Sequence, residues 1–216
     1  MSVITPNRTL RKRERTRGEL VAAAEGLVAK RGLDAVAIDE IVEAADVAKG
    51  TFYTHFADKN DIAAAIAHHI RSELEEKIAT LNDGIGDAAL RMANGLSTIF
   101  AFAIAQPVRT RALIRLIPST VDPDMPINTG IRSDVLLGVK TKRFWVASVN
   151  AAVVALLGIA ISAAMRLSDE AHRVADAHTF ATDALTTALA AIGVKQAEAA
   201  RLAKTAMDTR RKESKP

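Results

Sequence analysis

The sequence predicts an all-α protein, and three observations support this prediction. The chain has 216 residues, of which 42 are alanine, the strongest helix former. Glycine and proline, which break helices, account for only 11 and 6 residues. Apolar residues recur every three or four positions over long stretches, which is the spacing of amphipathic helices. The predicted architecture is an N-terminal three-helix domain that contains a helix-turn-helix, followed by a larger helical domain.

The composition excludes several classes of function. The chain has no cysteine, so disulfide scaffolds, thiolate nucleophiles and cysteine-ligated metals are excluded. Its eight aromatic residues (six Phe, one Tyr and one Trp) are too few to form a stacking platform for single-stranded nucleic acid. The first 17 residues lack the apolar run of a signal peptide, which predicts a cytoplasmic protein.

The N-terminus is predicted to be a basic, flexible arm over residues 1–13, followed by a first helix. Thr16 and Glu19 have the spacing of a capping box, which places the start of that helix at Thr16. Gly32 is the expected stop signal. The buried face of this helix is expected to comprise Leu20, Ala23, Ala24, Leu27 and Val28.

Residues 37–56 are predicted to hold two short helices separated by a turn at Asp46. Ala37 stands at the first helix start and cannot act as a side-chain cap, a deficit that Asp39 and Glu40 partly offset through the helix dipole. Asp tolerates the left-handed backbone that the turn requires better than most residues do.

The second short helix is expected to span about Lys49–Phe56. Phe52 and Phe56 are four residues apart and should pack inward together. Gly50 at the helix start allows a close approach to phosphates. A long amphipathic helix should follow from about residue 59 to residue 81.

Two segments, Arg13–Gly32 and Asp39–Lys59, resemble the tetracycline-repressor (TetR) family of bacterial transcription regulators. The second carries the string Lys-Gly-Thr-Phe-Tyr-Thr-His-Phe-Ala-Asp-Lys, which is the more specific of the two. The resemblance implies a DNA-binding domain over residues 14–74, with its motif at 37–56. It implies DNA contacts by Lys49, Gly50, Thr51, Tyr53, Thr54, His55 and Lys59.

The rest of the chain is expected to form an effector-binding and dimerisation domain over 75–208, followed by a solvated tail at 209–216. Predicted helices lie near 86–105, 107–117, 130–142, 144–167, 169–192 and 195–208. Pro118, Pro123 and Pro126 mark a long loop. The segment Leu189–Gly193 looks like the last interface helix of the family.

No charged residue occurs between Arg143 and Arg166, so this run must be buried, lie in an interface or cross a membrane. We favour an interface, because alanine, Gly158 and Ser162 allow helices to approach closely. The resemblance implies a homodimer formed through the helices near 144–167 and 169–192, bound to a palindromic double-stranded operator, with no membrane contact.

The effector is predicted to be a small, mostly apolar molecule, and Phe100, Phe102, Trp145 and Asn150 are its candidate ligands. Ordinary core packing is the competing interpretation for each. No catalytic, cofactor or metal pattern stands out, since the adjacent residues His68 and His69 point about 100° apart on a helix. The sequence therefore predicts a non-enzymatic regulator, a repressor released by its effector. Control by a protein partner, regulation without an effector, and a membrane-associated helical protein remain alternatives.

Overall fold

The computed structural model describes residues 8–116, 128–169 and 176–213. These residues form ten helices. They are α1 (Arg8–Arg31), α2 (Ile38–Ala44), α3 (Lys49–Tyr53), α4 (Lys59–Asn82), α5 (Ala88–Ala105), α6 (Pro107–Leu116), α7 (Thr129–Lys140), α8 (Val149–Ser168), α9 (Ala177–Ala191) and α10 (Gln196–Glu213). The all-α prediction is confirmed. The predicted loop prolines at 118, 123 and 126 lie outside the described residues.

The described residues divide into two compact units. Unit 1 comprises residues 8–71 and 111–116, and unit 2 comprises 72–110, 128–169 and 176–213. Unit 1 therefore holds α1, α2, α3, the first half of α4 and the end of α6. Its core is made of aliphatic and phenylalanine side chains that are almost completely buried: Leu20, Ala24, Val28, Ile41, Phe52, Phe56, Ile62, Ile66 and Ile70.

The first helix starts earlier than the sequence predicted. The prediction of a start at Thr16 is wrong, because α1 begins at Arg8 and the proposed capping box lies inside it. Residues 8–13 of the predicted arm are helical, and residues 1–7 lie outside the described part of the chain. The prediction of a stop at Gly32 is confirmed, since this residue has φ +80° and its N–H donates to the Val28 carbonyl.

In unit 2, α5 is the central helix and packs against α7, α8, α9 and α10. Asp87 caps α5, because its carboxylate accepts the Ala89 N–H at 2.9 Å. The turn before it contains Gly84 with φ +69°, as expected for a glycine-containing turn. The unit 2 core is largely alanine, leucine and valine, which lets these helices approach closely.

Helix α8 begins at Val149, so the predicted start at residue 144 is wrong. The N–H groups of Arg143 and Phe144 both donate to the Gly138 carbonyl, which turns the chain back on α7. Phe144 is buried so close to Gly138 that a Cβ there would lie 2.0 Å from its ring. Ser148 then caps α8 by accepting the Ala151 N–H at 3.0 Å.

The last two helices also differ from their predicted bounds. Residue 169 is the C-cap of α8, so the predicted helix start there is wrong, and residues 170–175 lie outside the described residues. Helix α10 extends to Glu213, so residues 209–213 are helical and do not belong to the predicted solvated tail. Met207 and Arg210 are buried, and this packing stabilises the last turns.

Two described helices, α5 and α8, are long and apolar enough to cross a bilayer by length and composition alone. They differ in burial: 56% of the apolar window of α5 is buried, against 39% for α8. Burial within unit 2 accounts for α5. The exposed face of α8 is uncharged over most of its length, where it is formed by Ala151, Val154, Ala155, Gly158, Ser162 and Met165, and the exposed Asn150 and Arg166 lie at its two ends.

Candidate DNA-binding surface

Helix α3 is a five-residue rod fixed by two phenylalanines. Phe52 and Phe56 are almost fully buried, as their spacing predicted, and their ring centroids are 5.7 Å apart. The helix ends at Tyr53 and not at Phe56, but the N–H groups of His55 and Phe56 both donate to the Phe52 carbonyl at 2.9 Å. These two hydrogen bonds fix the turn that follows the helix.

The opposite side of α3 is open. Gly50 and Thr54 are exposed, Thr51 is half-buried, and Tyr53 is 53% exposed with its ring edge-on to Phe52 at 5.4 Å. The Thr54 hydroxyl donates to the Thr51 carbonyl at 2.6 Å, which fixes the orientation of the side chain. One side of this short helix is therefore buried, and the other exposes a glycine, two threonine hydroxyl groups and the tyrosine phenol.

The turn that precedes α3 has the geometry expected from the sequence. Asp46 has φ +51°, which confirms the prediction of a left-handed residue. Lys49, at the start of α3, forms an ion pair with Asp39 of α2, with 2.6 Å between Nζ and Oδ1. This hydrogen bond raises the pKa of Lys49, so the ammonium stays charged. One of its hydrogen-bond donors is already used by the Asp39 carboxylate.

The start of helix α2 is stabilised by Glu40, a residue of its own first turn. Ala37 is its N-cap and offers no side-chain acceptor, as predicted. The Glu40 carboxylate accepts the Ala37 N–H at 2.9 Å and also the Arg31 guanidinium at 2.8 Å. The hydrogen bond from the Ala37 N–H lowers the pKa of Glu40 most, and the hydrogen bond from Arg31 lowers it further. Glu40 thus offsets the missing cap by a direct hydrogen bond, which is half of a capping box.

The N-terminal half of α1 brings basic side chains to α3. The Arg17 guanidinium lies over the Phe56 ring, 4.9 Å from its centroid. Burial lowers the pKa of His55, and the charges of Arg13 and Arg17 lower it further. The imidazole is therefore neutral at pH 7, next to two permanent cations. The sequence predicted basic residues in a flexible arm and not their position on a helix beside α3.

The spacing of residues along α1 could have predicted that Arg13 and Arg17 lie beside α3. Arg13, Arg17, Leu20 and Ala24 follow one another at intervals of four, three and four residues, so they lie on one face of a continuous helix. Leu20 and Ala24 are fully buried, which directs the same face of α1 toward the core of unit 1. Because the sequence assigned Arg13 to a flexible arm, this alignment was missed.

Lys59 has a structural role instead of the predicted phosphate contact. Its ammonium donates to three backbone carbonyls, those of Leu33, Asp34 and Val36, at 3.2, 3.3 and 2.9 Å. An ammonium has three donors, so all of them are used. Lys59 therefore ties the loop between α1 and α2 to the start of α4, and we remove it from the candidate surface.

The four candidate effector ligands do not converge on one site. Phe100 is fully buried in the core of unit 2, and Phe102 is half-buried with the Arg109 guanidinium 5.3 Å from its ring centroid. Asn150 is exposed and accepts a hydrogen bond from Arg132 at 2.6 Å. Trp145 is 86% exposed, so the structure does not bring it together with the buried Phe100, and its part in effector binding stays a prediction.

Neither of two cavities in the described part of the chain includes these residues. One, of about 570 Å³, lies in unit 1, and its lining includes Arg31, Asn60 and Arg115. The other, of about 450 Å³, lies in unit 2 and is lined mainly by charged side chains such as Glu73 and Lys77. His68 and His69 are both exposed on α4.

Comparison with known proteins identifies the family. The family model described as "Bacterial regulatory proteins, tetR family" matches residues 20–66, which span α2, α3 and the adjoining halves of α1 and α4. Residues 20–66 match the N-terminal domain of TetR-family regulators. The uncharacterized HTH-type transcriptional regulator YvdT of Bacillus subtilis (strain 168) is 35% identical over 60 residues, 28% of this chain and 31% of YvdT. The match thus spans about a third of that relative's length.

Solved TetR-like structures extend the similarity to both units. The structure of RolR in complex with resorcinol is 27% identical, with a TM-score of 0.56, and covers 90% of this chain and 95% of RolR. A γ-butyrolactone receptor described as ArpA-like matches at 23% identity with a TM-score of 0.67, covering 91% of this chain and 99% of the receptor. At 23% identity, the similarity to the γ-butyrolactone receptor establishes the fold and nothing more.

Proposed function

We propose that this TetR-family chain is a homodimeric, sequence-specific DNA-binding repressor that a small, mostly apolar effector releases from a palindromic operator. The proposal rests mainly on α3, which is buried on one side and exposed on the other. Phe52 and Phe56 fix one side in the core, while Gly50, Thr51 and Tyr53 face outward. A helix-turn-helix reads DNA with the N-terminal part of such a helix in the major groove.

The charge around α3 supports a division of labour between side chains. Arg13 and Arg17 are permanent cations at the edge of the surface, which suits contacts to phosphate. Thr51, Tyr53 and the neutral His55 offer hydrogen-bonding groups and an aromatic ring, which suit base edges and thymine methyl groups. Phosphate contacts position the protein, and base contacts give it specificity.

Control by a small molecule rests on similarity to RolR, whose structure holds resorcinol. Because Trp145 and Asn150 lie at the surface, Phe102, which is half-buried, is the predicted ligand that we retain for an effector site in unit 2. Dimerisation rests on the uncharged outer face of α8. Such a face is expected to be buried against another apolar surface.

Selection of bound sequences from random duplex DNA tests the proposal. We expect a palindrome whose half-site centres lie about one helical turn apart, roughly 34–36 Å. Recovery of unrelated sequences without a palindrome, at an affinity equal to that for bulk DNA, would refute sequence-specific regulation. A chain that partitions quantitatively into detergent after lysis would instead support membrane association through α8.

A further inference from the structure

The most exposed large apolar side chain among the described residues is an aromatic one. Trp145 is 86% exposed, in the short segment between α7 and α8. A tryptophan buries about 150–250 Å² in a core or interface, so leaving it in water forfeits a large hydrophobic stabilisation. Tryptophan is also the residue type most enriched among the energetic hot spots of protein interfaces.

The backbone of Trp145 is held rigidly. Its N–H donates to the Ile192 carbonyl at 3.0 Å, just after the end of α9. Gly193, with φ +89°, lies so close that a Cβ there would be 2.8 Å from both the N and the Cβ of Trp145. On the other side, Phe144 is buried against Gly138. The indole is therefore presented from a fixed base, and little backbone entropy remains to be lost on binding.

The outer face of α8 carries no charged residue from Ala151 to Met165; the Arg132 guanidinium lies at its N-terminal end, on Asn150, and the exposed Arg166 lies at its C-terminal end. Helix α8 starts four residues after Trp145, and its outer face contains Val154, which is 40% exposed, and Met165, which is 54% exposed. No charged residue occurs from Phe144 to Met165. In a twofold-symmetric dimer each patch meets its own copy, so any charge near the axis would face a like charge. An uncharged patch avoids that repulsion and suits a second copy of this chain.

We infer that Trp145 is an anchor residue of the homodimer, inserted against the partner copy as the end of the interface that the outer face of α8 continues. This inference rests on the dimer of the proposed function and adds to it a residue expected to be an energetic hot spot. Its indole would supply on the order of a quarter of the ~800 Å² that each partner buries in a standard-size interface. The exposure of Trp145 in the single chain is then a property of the unpaired protomer.

The chain contains one tryptophan, so its fluorescence reports on this side chain alone. The full-length protein is diluted across its dimerisation range while emission, acrylamide quenching and sedimentation are recorded. We expect the dimer to emit at shorter wavelength than the monomer and to be quenched several-fold less than the chain unfolded in guanidinium. If the dimer persists at the lowest concentration, its quenching is compared directly with that of the unfolded chain.

Variants measured by sedimentation complete the test. Trp145→Ala should weaken dimerisation by about 30-fold or more, as expected of a hot-spot residue. Trp145→Phe should recover much of that loss, and circular dichroism checks that both variants fold. Leu10→Ala removes a 53% exposed apolar side chain from α1 and serves as the control that leaves the dimer constant unchanged.

The outcomes separate this inference from the proposed function. A dimer that binds a palindrome while Trp145 stays as quenchable as in the unfolded chain, or while Trp145→Ala dimerises normally, would overturn the inference alone. A monomer at every concentration that binds no palindrome would overturn both. Shielding of Trp145 only when phosphatidylcholine vesicles are added would assign the surface to a membrane and would also overturn the inference.

Discussion

The Arg17 guanidinium stacks over the Phe56 ring at 4.9 Å, so a cation on α1 is positioned by the same phenylalanine that anchors the turn after α3. This contact places a permanent charge at a fixed site beside the proposed reading surface. A cation–π pair at an exposed site contributes only about 0.5–1 kcal/mol to stability. We therefore assign Arg17 mainly to DNA binding.

Arg17→Ala should weaken DNA binding to a similar degree for operator and non-operator sequences, because a phosphate contact carries no sequence information. Each phosphate contact contributes a slope of about −0.9 to the plot of log affinity against log salt concentration. The slope of the variant should be shallower by about that amount. Arg15→Ala, which removes a cation paired with Glu19, is the control. An unchanged slope in Arg17→Ala would exclude the assignment.

Lys59→Met should destabilise the protein without changing the salt dependence of DNA binding. The substitution removes three hydrogen bonds to the carbonyls of the loop between α1 and α2. Hydrogen bonds that involve a charged group contribute about 1.5–3 kcal/mol, and a loss in that range is expected in denaturant unfolding. Lys49→Met is the matched control, expected to cost little stability because its ion pair with Asp39 is exposed. A shallower salt slope in Lys59→Met would restore the phosphate role.

Ala37→Thr should raise the melting temperature. Ala37 is the N-cap of α2 with φ −91° and ψ 151°, the extended conformation in which a threonine hydroxyl reaches the first-turn N–H groups. The gain is expected to be about 0.5–2 kcal/mol, toward the low end because Glu40 already satisfies one donor. Ala35→Thr, in the exposed loop just before, is the control. Equal melting temperatures for Ala37→Thr and the unsubstituted chain would contradict the capping account.

His55 should make the protein less stable in mild acid. Burial, then Arg13 and Arg17, lower its pKa below the ordinary value of 6.5, so the folded state binds a proton less readily than the unfolded state. The stabilisation is complete above about pH 6.5 and is lost as the pH falls toward the pKa of the folded state. Denaturant unfolding at pH 7.5, 6.5 and 5.5 should show a smaller decline for His55→Gln. His68→Gln should retain the full decline, and equal declines in both variants would contradict this cause.

Local spacing was sufficient to predict the parts of the site that depend on neighbours in sequence. Phe52 and Phe56, four residues apart, had to share a face, and Asp46 had to accept a left-handed turn. The uncapped Ala37 was predicted for the same reason. Each of these features is decided within one or two helical turns, where the chain itself fixes the geometry.

Features that depend on distant segments were not predictable. Lys59 binds carbonyls 23 to 26 residues earlier, and nothing near it in sequence reveals that its donors are used. Helix α8 starts late because Phe144 and Trp145 are held by Gly138 and Ile192. The uncharged run suggested one continuous helix, but tertiary hydrogen bonds break it at its N-terminal end.

The central claim is that the exposed side of α3 reads duplex DNA in a symmetric pair. It is tested most directly by titrating a fluorescently labelled selected palindrome with the unsubstituted chain and with the double variant Thr51→Ala, Tyr53→Ala, while sedimentation reports the oligomer. His68→Ala, His69→Ala, on exposed positions of α4, is the matched double control. The account predicts two chains per palindrome and, for the Thr51 and Tyr53 double variant, an intact dimer whose affinity for the palindrome falls to that for unrelated DNA. Undiminished affinity of this variant for the palindrome would contradict the claim.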